Sequence, residues 1–311
     1  MRLFSPLQQH EPWSAKSERT PEKLSRRKFL AGSGIAAAAL AGLGLYANEI
    51  SRHELDIAER DFFLRNLPPA FEGFRIVQFS DIHLDEYMED FFLEEVVERV
   101  NRLNPDLVLV TGDFVSRGPM PMSVCLAAAG RCAEILRRLE CPQRFGILGN
   151  HDVMVGPSFV RNHMQANGLP LLVNENVRIE RGGQHILLAG LDDVSQGKPD
   201  LGRTVPAAVD CPVLLMCHEP DYADTIAQHE RGPLVDLIFS GHTHGGQVRI
   251  PGLPPMELPP HGKIYVEGHF VVGKSQLYVN RGVGTVGLPF RLNCPPEITV
   301  GTLRRAPEAS A

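Results

Sequence analysis

At 311 residues, 43% hydrophobic with 29 Gly and 25 Pro, the chain can bury one large core and has little room for two independent domains. Its formal charge of −6 is uneven: residues 1–47 hold seven basic side chains and three acidic ones, which leaves 24 basic and 34 acidic residues for the rest. A body of that sign argues against a nucleic-acid binder held by phosphate contacts, and six cysteines (Cys125, Cys132, Cys141, Cys211, Cys217, Cys294) without a C-x-x-C spacing read as buried reduced thiols rather than disulfide staples.

The first element is an address. Residues 25–30 read S-R-R-K-F-L and lead into an uncharged Gly/Ala-rich apolar run ending at Ala47. A basic region followed by an apolar one is the order of an export signal, here of twin-arginine type. An A-x-A cleavage site occurs only as Ala39-Leu40-Ala41, inside the run, and the run is close to the roughly 20 residues that span a bilayer. Residues 1–47 are therefore expected to be a twin-arginine signal peptide, or a signal anchor through residues 29–47. Both outcomes put the body, residues 48–305, outside the cytoplasmic membrane of a bacterium-like cell, in the periplasm or its equivalent. The twin-arginine export machinery and the membrane are the expected partners. Residues 306–311 are expected to be a disordered tail.

From residue 75 the chain repeats one grammar, in which a short apolar, β-rich run stops at Asp, Asn or His. Residues 75–80 (RIVQFS) run into Asp81-Ile82-His83. A helical pattern follows, with Phe91, Phe92, Val96, Val97, Val100 and Leu103 before Asn104-Pro105. Residues 106–111 (DLVLVT) run into Gly112-Asp113, and a second helical pattern places Val124, Leu126, Ala129, Ala133, Leu136 and Leu139 before Cys141-Pro142. Residues 144–148 end at Gly149-Asn150-His151-Asp152, residues 213–217 at His218, and residues 236–240 at Gly241-His242-Thr243-His244. Strand and helix in alternation predict an α/β sheet with parallel neighbours, whose ligands lie beyond the carboxyl ends of the strands. The second half carries shorter strands at residues 184–189, 247–250, 276–279 and 298–303, which read as a second, largely β sheet packed on the first. Residues 253–262, with four prolines, read as an exposed loop.

All five polar clusters then share one rim. Asp81, His83, Asp113, Asn150, His218, His242 and His244 offer seven oxygen and imidazole donors. Because i and i+2 point the same way in extended chain, Asp81 with His83, and His242 with His244, are expected to converge. Seven donors exceed what one ion takes, so two divalent ions bridged by a carboxylate are expected; Mn2+, Fe2+ or Zn2+ suits such ligands. Asp192, Asp193, His185, His229, His261 and His269 lack this strand-end pattern and are set aside as ordinary turn or surface residues.

Together, D-I-H at 81–83, G-D at 112–113, G-N-H-D at 149–152, His218 and G-H-T-H at 241–244 resemble the calcineurin-like metallophosphoesterase superfamily, all five blocks in order. The longer GHTHGGQVRIPG, with NRGVGT at 280–285 and PPEITV at 295–300, is similar to its exported or membrane-associated phosphodiesterase subgroup. Asp85-Glu86 departs from that subgroup, where Gly often follows D-x-H-L. The resemblance implies a four-layer αββα sandwich, two mixed sheets flanked by helices. It implies that Asp81, His83 and His244 hold one metal, that Asn150, His218 and His242 hold the second, and that Asp113 bridges them. A hydroxide between the metals would attack phosphorus, Asn150 and His151 would contact substrate, His151 would protonate the leaving oxygen, and Asp152 would orient His151. The implied substrate is a phosphodiester or pyrophosphate, lipid-linked substrates included. Phosphomonoester or protein-phosphate hydrolysis is the alternative, and Asp152 in place of the Glu of G-N-H-E favours diesters over it; a non-catalytic metal-stabilised scaffold is a more distant one.

Overall fold

The structure, a computed structural model, describes residues 26–84, 87–255 and 257–307. Residues 1–25, the departure at Asp85-Glu86, and the end of the expected tail lie outside them. The described chain divides into two units, one ending at Leu43 and a compact one beginning at Gly44. The first contains most of α1 (Arg26–Leu45), whose apolar side chains are exposed on every side. The helix continues to His53, and from Phe29 it is long and apolar enough to cross a membrane.

The compact unit holds two mixed sheets. Its strands are β1 (Asp56–Leu64), β2 (Arg75–Phe79), β3 (Leu107–Val110), β4 (Arg144–Gly146), β5 (Glu175–Arg181), β6 (Gln184–Gly190), β7 (Val213–Met216), β8 (Leu237–Ser240), β9 (Gly268–Val272), β10 (Ser275–Val279) and β11 (Glu297–Arg305). Sheet one runs β1-β11-β2-β3-β4 and sheet two β5-β6-β7-β8-β10-β9. Within them β2, β3 and β4 are mutually parallel, as are β6, β7, β8 and β10.

Alternation along these strands builds the layers, because successive side chains point to opposite faces. Ile76, Leu107, Leu109, Leu214, Met216, Leu237 and Phe239 meet in a cluster that sheet one and sheet two share. On the far side of sheet one, Val77, Phe79, Val108 and Val110 pack against α2 (Asp90–Arg102) and α3 (Met122–Leu136). On the far side of sheet two, Val213, Leu215 and Ile238 pack with Ala223 and Ile226 of α7 (Ala223–Gln228). This is a helix–sheet–sheet–helix sandwich. Strands buried on both faces read as continuous apolar runs, which is why the central ones were visible in the sequence.

Four expectations are corrected. Residues 298–303, expected in the second sheet, belong to β11, which lies in sheet one because it pairs in parallel with β1 and antiparallel with β2. Residues 247–250 form no strand; a single bridge, Val248 to Leu292, replaces it, because Gly245 and Gly246 and then Gln247 all take positive φ and turn the chain. In α2, Phe91 points to solvent and Leu93 takes its place in the core. In α3, Val124 is exposed while Cys125, Ala128 and Cys132 are buried. In both helices the buried face is rotated slightly from the one the apolar spacing suggested, since small Ala and Cys side chains let α3 approach its neighbours closely.

Candidate metal centre

The rim is assembled by backbone that ends strands abruptly. Asp81, His83, Asp113, His242 and His244 all have positive φ, between 50° and 71°. Such a conformation costs a non-glycine residue about 1–3 kcal/mol, so five of them put several kcal/mol of strain on one edge of the fold. Their convergence therefore comes from left-handed turns, not from the extended i, i+2 geometry expected of strand ends. Backbone bonds over-determine these turns: Asp81 N–H donates to Gly112 O (3.0 Å) and His83 N–H to Asp113 O (3.0 Å). His242 N–H donates to the Asp81 carboxylate (2.9 Å to Oδ2). Two glycines make room. A Cβ on Gly149 would stand 2.3 Å from Asp113 Oδ1, and one on Gly241 would stand 2.1 Å from Ser80 Oγ.

Donor atoms of six buried side chains meet there. Asp81, His83 and His244 form one cluster and Asp113, His218 and His242 another, while the half-buried His151 groups with His83 and Asp113 between them. Asp113 Oδ2 lies 3.4 Å from His83 Nε2 and 3.2 Å from His218 Nε2, so it faces both clusters. His244 Nε2 is 3.0 Å from His83 Nε2, and His242 Nδ1 is 3.3 Å from His218 Nε2. The far ring nitrogens are occupied: His218 Nδ1–H donates to Thr111 O (2.7 Å) and His242 Nε2–H to Pro260 O (2.8 Å). His83 Nδ1 pairs with Ser116 Oγ (3.0 Å). Such outer partners fix the tautomer that leaves a lone pair directed inward.

The electrostatics suit cation ligation. Burial pushes His83 down to about 3 and His242 down to about 4, and burial together with His83 and Arg291 holds His244 well below the usual range. These imidazoles are neutral at pH 7, the form a metal requires. Burial works to raise Asp113, but His218, His151 and His83 hold it well below the carboxylate range, ionised. Burial likewise opposes charge on His218, yet Asp113 and Asp81 keep it well above the ordinary imidazole value. Metal binding would release that proton. The clearest sign that these residues fit metal ions is Asn150: its Oδ1 is buried with no hydrogen-bond partner among the described residues, and an orphaned buried oxygen is costly unless something ligates it.

His151 and Asp152 begin α4 (Asn150–Val155). His151 Nδ1 accepts from Arg117 N–H (2.8 Å), so the ring proton resides on Nε2. The expected pairing of Asp152 with His151 is absent among the described hydrogen bonds. Asp152 Oδ1 accepts instead from Phe114 and Val115 N–H (2.9 and 3.3 Å), and Oδ2 accepts from Gly149 N–H (3.0 Å). Consecutive helical residues face different directions; Asp152 turns inward to tie the Asp113 turn to the Asn150 turn, and Arg117 orients His151.

Sequence reasoning also missed Arg291, a fully buried arginine with no carboxylate in reach among the described residues. Its guanidinium donates to the carbonyls of Gly284, Cys294, Arg281 and Gly282, and it stands 3.4 Å from His244 Nδ1. The segment it braces, residues 280–285, straps the Asp81 turn: Val283 N–H donates to Ser80 O (2.9 Å) and Gly284 N–H to Asp81 O (2.8 Å). The NRGVGT string carried that signal without revealing its geometry.

The sequence pattern of the calcineurin-like phosphoesterase family, Metallophos, matches residues 74–246, and the chain belongs to this metallophosphoesterase family. It is 38% identical over 293 residues to the metallophosphoesterase YkuE of Bacillus subtilis (strain 168), covering 91% of this chain and 99% of YkuE. It is 31% identical over 291 residues to Phosphodiesterase YaeI of Escherichia coli (strain K12), covering 89% of this chain and 98% of YaeI. A transmembrane protein with metallophosphoesterase domain from Bos taurus is 31% identical, covering 78% of this chain and 56% of that protein.

Proposed function

We propose that this chain is a dinuclear metal-dependent phosphodiesterase, delivered outside the cytoplasmic membrane by its N-terminal segment. One observation carries the proposal: two clusters of three donors meet at the carboxylate of Asp113, which belongs to one and lies 3.4 Å from His83 of the other, beside an Asn150 oxygen with no partner among the described residues. Asp81, His83 and His244 would hold one divalent ion, Asn150, His218 and His242 a second, and Asp113 would bridge them. When bound, the ions supply Lewis acidity toward the phosphate oxygens and an attacking water. The remaining work falls to the protein. His151, with Nδ1 satisfied by Arg117, keeps its Nε2 proton for the departing oxygen. The amide nitrogen of Asn150 would bond a non-bridging oxygen of substrate, and Asp152 keeps the turns carrying Asp113 and Asn150 in fixed relation. The likeness to a phosphodiesterase, YaeI, supports diester over monoester substrates.

The test is metal content and hydrolysis measured on one sample after reconstitution with Mn2+. About two ions per chain and faster turnover of a bis-aryl than of a mono-aryl phosphate are expected. Asp113→Asn should lose both ions together. Loss of one ion alone contradicts the bridge, and a preference for the mono-aryl ester moves the assignment to a phosphomonoesterase.

A further inference from the structure

Two loops beside the metal centre have the wrong chemistry for a water-facing surface. Residues 250–255 read I-P-G-L-P-P and residues 286–292 read V-G-L-P-F-R-L; the one ionisable side chain among them, Arg291, is buried. Leu253 and Leu288 are 62% and 61% exposed, and Ile250 is exposed beside them. Contiguous exposed apolar loops of this kind mark a docking face.

The two loops form one layer. Arg249 N–H donates to Leu292 O (2.9 Å), Leu292 N–H donates to Gln247 O (3.1 Å), and the Gln247 amide donates to Val286 O and Leu288 O (3.1 and 3.0 Å). The layer borders the metal ligands: Pro255 packs against Gly246, two residues beyond His244. Between residues 249–255 and residues 264–270 lies a cleft of about 500 Å³, lined by Ile250, Leu253, Ile264 and Phe270 with the Arg249–Glu267 pair at its edge.

The path of the chain indicates what covers this layer. Ala47, two residues beyond α1, is buried in the compact unit, and its carbonyl accepts from Arg291 N–H (3.1 Å). Two helical residues advance only about 3 Å. The last residue of α1, Leu45, therefore lies within a few ångströms of loop 286–292 along the chain. Tyr46 and Ile50, exposed on the same connecting turn, are side chains suited to a membrane–water boundary. We propose that residues 250–255 and 286–292 form a lipid-contacting lip, seated in the headgroup layer of the membrane that α1 enters, which holds the mouth of the metal centre against the lipid surface.

The unit Gly44–Ala311 contains both sheets and all three apolar clusters, and residues 26–43 contribute to none of them. A chain starting at Gly44 therefore folds on its own and isolates the lip from the helix. Mixed with phosphatidylglycerol–phosphatidylcholine vesicles, it should co-sediment. Leu253→Asp with Leu288→Asp should lower the vesicle-bound fraction about tenfold, with solution hydrolysis of a bis-aryl phosphate unchanged, since both side chains already face solvent. A chain that stays in the supernatant at all lipid concentrations, or a double variant that sediments as well as its parent, overturns the proposal. So does a lipid-independent dimer dispersed by the same two changes, which would give the face to a second copy. Vesicle binding without any phosphodiester hydrolysis would sustain the lip and count only against the enzymatic function.

Discussion

His151 differs from its neighbours in having one nitrogen committed and one free. Arg117 N–H occupies Nδ1, and the role proposed for Nε2 is to serve the leaving group. Replacing it with alanine removes a proton donor but no predicted metal ligand. His151→Ala should keep its metal while losing about 10²–10⁴-fold in turnover of diesters with poor leaving groups. With an activated aryl leaving group, which departs without a proton, the loss should be much smaller. Equal losses on the two substrates would remove His151 from the acid role. Asp152 matters at this scale in another way: its three backbone partners make it a clamp between two ligand-bearing turns.

Between elements, the loop after β6 is joined to the turn after β7 by a pair of carboxyl groups. Glu219 accepts from Val194 and Ser195 N–H (3.1 and 3.0 Å). Asp193 accepts from Gln196 N–H (2.6 Å), but its other oxygen is buried without a donor and lies against Glu219. Burial, and then Glu219, raise the Asp193 carboxyl to about 8, so a proton is held between the two groups. The sign follows from linkage. The unfolded chain releases this proton near pH 4 whereas the folded chain keeps it, so the contribution to stability falls as pH rises from about 4 to about 8. Asp193→Asn, which keeps a donor toward Glu219 and cannot ionise, should lose less Tm than the parent between pH 5 and 8 in thermal unfolding. Parallel Tm curves would deny the shared proton. Asp193 shows what strand-end patterning overlooks, since its sequence context is that of a turn and only the fold buries it. β1 was missed for a related reason. Its DIAERDFFL sequence carries four charged residues, its partner β11 lies at the other end of the chain, and nothing local announces their pairing. The six donors that the structure brings together were legible because each follows an apolar run that ends at a turn. The left-handed backbone at Asp81, His83, Asp113, His242 and His244 was not, because Asp and His at a strand end look the same in either conformation.

In the whole molecule, the compact unit reaches back into the N-terminal apolar run. The apolar run ends at Ala47, which made residue 48 the expected start of the catalytic domain, whereas the compact unit begins at Gly44 and takes in Ala47 and Ser51 as buried residues. Arg52 then pairs with Glu89 (3.0 Å), fastening the connecting turn to the start of α2. A chain beginning at residue 44 should unfold at higher urea than one beginning at residue 48, by roughly 1–3 kcal/mol, the cost of leaving a buried backbone donor unmet. Indistinguishable midpoints would mean that water replaces the lost carbonyl.

That carbonyl has a bearing on maturation. A peptidase must draw its target into an extended, open conformation, and the bond after Ala47 is locked in a helical turn with its oxygen engaged by the arginine backbone that also braces His244. Scission there is open only to a polypeptide that has not yet folded. Once folded, the protein shields that bond, and the segment joining α1 to β1 is held by the same arginine whose guanidinium stands 3.4 Å from His244 Nδ1.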